Sequence, residues 1–204
     1  LKALPKPEYT TKRLLYQSYI NEEPDFYSTT WFAEDATLGS VNLEDLWFQR
    51  RSVLGYWQTP EDPCVVLRAR FLHDDYDFSS AYIRNAQDGP RMLSAFGLLT
   101  NMGDRMAHLD PPEDGLFAAE DFRVRYELNG ASVSGRDLGG GRFEFTAGPR
   151  KAVVHTLPGR FGTHEVAWEL GRKDGCVFVD GICYRGPKKK FNLMWLGEVA
   201  IAAG

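Results

Sequence analysis

The chain has 204 residues, a formal net charge of −4, 43% hydrophobic residues and 25% charged residues. That is ordinary for a globular domain able to bury a good core, and it excludes the strongly basic footprint of a nucleic-acid binder. No apolar run is long enough to cross a bilayer as a helix.

Residues 1–12 (LKALPKPEYTTK) are polar with two prolines and predict a tail or linker. The folded domain is therefore expected over 13–204. Residues 13–20 fit a strand or a short helix. Residues 29–33 and 36–41 predict two short strands around Glu34-Asp35. From Trp47 to Trp57 the alternation is weaker. Trp47, Gln49, Arg51, Val53 and Trp57 share one phase; Phe48, Arg50, Leu54 and Tyr56 share the other. Trp47, Arg51 and Trp57 on one face fit a stacking platform for a planar or sugar ligand, but the burial habits of aromatics favour core.

The clearest patterns lie between Cys64 and Leu128. Val65, Leu67, Ala69 and Phe71 alternate with Arg68 and Arg70, and His73 keeps the inward phase. Phe122, Val124, Tyr126 and Leu128 alternate with Asp121, Arg123, Arg125 and Glu127. Successive strand side chains face opposite ways, so each segment predicts one apolar face and one wet face. Residues 92–99 are apolar almost throughout and predict a strand covered on both faces.

After Leu128 turn signals recur at short intervals: Asn129-Gly130, Gly139-Gly140-Gly141, Gly148-Pro149, Pro158-Gly159, Asp174-Gly175 and Asp180-Gly181. The last run, 191–201, alternates again. Thirteen per cent aromatics and 20 glycines agree with strands joined by tight turns. The expected fold is all-β with little helix: a two-sheet antiparallel β-sandwich, jelly-roll-like.

Motifs with strong chemistry are missing: no G-x-S-x-G, H-E-x-x-H, paired C-x-x-C or Walker loop occurs. The triple glycine precedes a strand rather than a helix, which makes it a hairpin connection and not a phosphate loop. Cys64, Cys176 and Cys183 are odd in number and widely spread, which argues against a disulfide scaffold. If Asp180-Gly181 were a hairpin turn, Cys176 and Cys183 would not be direct neighbours. Lys188-Lys189-Lys190 predicts a solvated turn that protects an edge.

Two polar knots remain. One is His73-Asp74-Asp75-Tyr76-Asp77, with His73, Asp75 and Tyr76 as candidate ligand-binding residues. Its spacing matches no metal loop, so neither a metal nor a cofactor is expected. The other runs from Asn101 to Asp110. In it Asp104 can orient His108 as a general base, and Arg105 can clamp a carboxylate. Salt-bridged turns are the plain alternative in both places. Counting 64–73, 79–85 and 92–99 as one antiparallel meander places both knots at the same end of the sandwich.

Four segments carry a resemblance: YSTTWFAEDATLGSV at 27–41, LWFQRRSVLGYW at 46–57, RFLHDDYDFSSA at 70–81 and LTNMGDRMAHLD at 99–110. Their order resembles the β-sandwich that follows an (α/α) toroid in the heparinase II/III-like polysaccharide lyases and their relatives. The resemblance implies a module of a carbohydrate-active protein, lining a glycan cleft or stabilising an N-terminal toroid partner; from the charge and the lack of a long apolar run, no membrane or nucleic-acid partner is expected. It carries no catalytic position onto this chain. The Leu at position 1 agrees with a piece of a longer polypeptide. On this reading the isolated chain is expected to show no hydrolase or lyase turnover. A self-contained small-molecule-binding β-barrel and an enzyme centred on Asp104, Arg105 and His108 are the alternatives.

Overall fold

The computed structural model describes residues 12–16, 26–42, 52–77, 81–98, 118–161, 163–190 and 193–203. Among the described residues there are strands and turns and no helix. The strands form two antiparallel sheets, one of nine strands and one of eight. Their inner faces share one apolar core, so the chain is a β-sandwich.

The first sheet opens as a meander: β1 (Lys12–Tyr16), β2 (Phe26–Phe32), β3 (Ala36–Asn42), β4 (Val53–Trp57) and β5 (Val65–His73), with the short β6 (Tyr76–Asp77) folded back on β5. The chain then changes sheet. The β7 (Ala81–Asp88) and β8 (Arg91–Leu98) hairpin belongs to the second sheet, and β9 (Ala118–Asn129) returns to pair with β5. Next, β10 (Val133–Gly139), β11 (Arg142–Ala147), β12 (Arg150–Thr156), β13 (Arg160–Phe161) and β14 (His164–Glu165) build the second sheet. The β15 (Ala167–Lys173) and β16 (Cys176–Lys190) hairpin completes the first, and β17 (Leu193–Ala203) pairs with β8, β12 and β13.

The alternating strands fill the core as their pattern requires. Phe122, Tyr126 and Leu128 are 0% exposed and Val124 is 1% exposed. On β5, Val65, Leu67, Ala69 and Phe71 are buried on the same side. Phe96 of the second sheet meets Phe71 edge-on at 5.2 Å and Tyr126 at 6.1 Å. Such aromatic pairs add to the stabilisation from area burial alone.

Both flanks of the sandwich are tied. On one, Asn85 of β7 donates to the carbonyls of Val41 and Ser52, each at 3.0 Å, and Gln87 donates to that of Leu38 at 2.8 Å. On the other, Gly135 of the edge strand β10 lies so close to the first sheet that a Cβ there would be 2.4 Å from Val177. Any side chain at 135 would displace Val177 and disturb this packing.

Several local expectations are corrected. Asp180-Gly181 is no hairpin turn: both residues sit inside β16 and pair with Glu169 and Trp168. The Trp168 ring covers Gly181, where a Cβ would be 2.7 Å from it, so this glycine marks close packing rather than a turn. Asn129-Gly130 likewise joins the two sheets instead of closing a hairpin. Lys189 and Lys190 pair with Ala119 and Ala118 as part of β16, not as a turn. Leu93 is 43% exposed, so β8 is covered on one face only. The expected tail ends one residue early, since Lys12 already pairs with Thr30; residues 1–11 lie outside the described part.

Candidate functional site

The first knot is a tight hairpin. Asp74 and Asp75 adopt φ of 47° and 71°, the left-handed pair that a two-residue turn between β5 and β6 needs. Its histidine is buried and its aspartates make ion pairs at the surface. His73 is 5% exposed, and its Nε2 lies 3.3 Å from an Asp74 carboxylate oxygen. Asp75 pairs with Arg123, and Asp77 accepts from Arg70 at 2.7 Å. Tyr76 is 57% exposed, and the paired side chains of Asp75 and Asp77 still keep 85% and 59% of their surface in solvent. His73 and Asp75 thus anchor the hairpin. No cluster of potential metal ligands occurs among the described residues.

The second knot, with Asp104, Arg105 and His108, lies outside the described residues, as do Trp47 and Arg51. The meander that related the two knots is corrected. β5 belongs to the first sheet and the β7–β8 hairpin to the second, so these strands are not neighbours in one sheet. Trp57 is core, as the burial habits of aromatics favoured, and no platform residue: it is 2% exposed and donates its indole N–H to the Ala147 carbonyl at 3.3 Å. Val53, on the same phase, is 0% exposed.

The opposite phase holds what the sequence reading passed over. Phe32, Thr37 and Tyr56 are direct cross-strand partners on β2, β3 and β4. They therefore share the outer face of the first sheet. Phe32 and Tyr56 are each 37% exposed. Two strand spacings put them about 10 Å apart. They flank a recess of about 310 Å³ whose other walls include Glu34, Asp35, Gln58 and Cys64.

Comparison with known proteins gives no match: no family model, no curated protein and no solved structure. The site must be judged on its own chemistry.

One wall of this recess is held by an ion pair. Arg150, at the start of β12, grips Asp35 with both ends of its guanidinium, Nε at 3.0 Å. That bond holds the Asp35 carboxyl below its ordinary value. It also joins the two sheets, as does the Trp57–Ala147 bond. Gln58 N–H donates to the Asp35 carbonyl at 3.2 Å. Nearby, Asp62 accepts from the backbone N–H of Cys64 at 2.9 Å and of Ala131, which lowers its pKa and fixes the 58–64 loop. The result is a rigid, open depression with two aromatic walls and a polar rim. Such a surface suits a ligand with both apolar ring faces and hydroxyls.

Cys176 and Cys183 offer no nucleophile. Burial pushes the Cys183 thiol up to about 12, and that of Cys176 up to about 11. Both are protonated at neutral pH, and the thiolate is the reactive form.

Proposed function

We propose that this chain is the β-sandwich module of a carbohydrate-active protein and binds glycan on the outer face of its first sheet. The observation that carries the reading is the Phe32–Tyr56 pair: two half-exposed rings, held across a strand, beside a braced polar recess. Exposed rings grouped in this way mark interaction surfaces more often than scattered apolar residues do. A pyranose presents an apolar face to stack on each ring and hydroxyls to meet Glu34 and Gln58. The spacing of about 10 Å suits two linked sugar units. In a longer polypeptide the same face would line one wall of a glycan cleft or pack beside a catalytic domain.

A closed barrel with a ligand inside receives less support, because the described interior positions of the two sheets are filled by side chains such as Phe96, Phe122, Tyr126 and Phe145, each 0% exposed.

The test is affinity electrophoresis and calorimetry of the purified chain against a panel of neutral and acidic polysaccharides. Binding by the wild type is expected for at least one polymer. Tyr56→Ala and Phe32→Ala should each weaken it by about tenfold, or about 1.4 kcal/mol, with near-wild-type urea stability. If no glycan binds, or if binding survives both changes, the reading fails.

A further inference from the structure

The outer face of β5, β9 and β16 carries a second recess, unlike the first in chemistry. Its geometry follows from the ladder register. Arg68 lies opposite Glu127, and Arg70 lies opposite Arg125. On the far side, Arg125 lies opposite Asp180 and Glu127 opposite Phe178. The centre of the face is thus a block of three arginines and one glutamate. Together with Lys173, Asp174, Cys176 and Phe178 they line a hollow of about 230 Å³.

Two like charges placed directly across a ladder are unfavourable, yet Arg70 and Arg125 occupy such positions. Carboxylates hold them there. Glu127, 3% exposed at its side chain, bonds Arg68 through one oxygen and Arg70 through the other. Asp180 takes Arg125 with two parallel bonds of 2.7 Å. The Arg125 guanidinium also lies 3.8 Å over the Phe178 ring. That ring in turn covers Gly171, where any Cβ would be 2.4 Å from it.

These restraints leave donors over. Arg68 meets Glu127 through Nε, and Arg125 meets Asp180 through Nε and Nη2. The Nη groups of Arg68 and Nη1 of Arg125 have no described partner. The side chains are 35%, 22% and 18% exposed for Arg68, Arg70 and Arg125. They are immobilised but open to the hollow. Arg68 and Arg70 share one carboxylate, and Lys173 adds a further cation at the rim. The lining of the hollow holds four cations, Arg68, Arg70, Arg125 and Lys173, against two carboxylates, Glu127 and Asp174, while Asp77 and Asp180 outside it offset Arg70 and Arg125. The neutral Cys176 thiol adds no repulsion.

We propose that this hollow binds a tetrahedral oxyanion, sulfate or phosphate, either as the free ion or as the end group of a small ester. The three guanidiniums come from two paired strands and line one hollow. A carboxylate engages one such fork; a tetrahedral oxyanion has oxygens for several. Pre-placement by Glu127 and Asp180 removes the entropic cost of gathering three long side chains. A bound dianion would also relieve the Arg70–Arg125 opposition. The proposal stands independently of the glycan reading.

The experiment is calorimetric titration of the whole chain with sodium sulfate and sodium phosphate, against sodium chloride at matched ionic strength. Saturable single-site binding is expected for both oxyanions and not for chloride. Arg68→Lys keeps the charge beside Glu127 but loses the fork, and should weaken binding roughly fivefold. Lys173→Gln, at an exposed rim position, should weaken it about threefold. If Arg68→Lys does not fold, Lys173→Gln decides alone. Glycerol 3-phosphate binding more tightly than inorganic phosphate would mark the group as part of a larger ligand, and equal binding would mark a free-ion site. Heats indistinguishable from chloride, or binding unchanged in every folded variant, overturn the proposal.

Discussion

The two faces of β9 look complementary in sequence and turn out to be alike in burial. Val124 on the inner face is 1% exposed; Arg123 on the outer face is 7% exposed. One is buried among hydrocarbon, the other among charges. Arg123 meets Asp75 and Asp121 directly and lies 3.4 Å from Asp180. Glu127, also on the outer phase, is 2% exposed. The alternation of β9 thus fixed which way each side chain points, but not whether water would meet it. A charged side chain leaves water when enough partners stand on the neighbouring strands. Here β5, the turn that follows it, and β16 supply most of them from far along the chain, and Asp121 of β9 itself adds one.

The inner face should break most severely. Val124→Asp places a carboxylate among Phe71, Phe122 and Tyr126 without a partner, and is expected to cost roughly 4 kcal/mol or to prevent folding. Urea melts of the two proteins measure it. The outer face should break almost as badly, which reverses what a wet face would predict. Arg123→Asp removes a buried cation from three carboxylates and adds a fourth, for an expected loss of about 3–5 kcal/mol. A loss below about 0.5 kcal/mol in the same melts, the figure for an ordinary surface change, would show that the network contributes nothing.

The smallest effect belongs to the Asp35–Arg150 pair that joins the two sheets, where the carboxylate is 41% exposed. Arg150 lowers the Asp35 pKa in the folded state from 3.8. A depressed carboxyl contributes stability that is present above the unfolded value and lost as pH falls through the folded one. Asp35→Asn should therefore cost less than about 1 kcal/mol near neutral pH, and the difference from wild type should vanish in acid. Thermal melts between pH 7 and pH 2 follow it. A difference that grew on acidification would contradict the ion pair.

Much of the architecture was legible. Strict alternation in 65–71 and 122–128 determined two strands and their core faces, because a period of two admits no other assignment of apolar side chains. The Gly139–Gly141, Gly148-Pro149 and Asp174-Gly175 turns were legible too, because positive φ at those glycines is a local property. Asp180-Gly181 and Asn129-Gly130 carry the same dipeptide signals and do other work. Whether such a pair turns a hairpin, crosses between sheets or lies under a tryptophan depends on what packs against it. The aromatic recess was hidden for a similar reason. Phe32 and Tyr56 lie on separate strands, in a stretch where the tryptophans drew attention to the phase that became core. The sequence by itself determined the strands and the direction of their side chains, since these follow from local sterics and periodicity. Only the tertiary structure decided which strands became neighbours, and with that which charges were buried together and which rings were left open, because those outcomes depend on partners dozens of residues away.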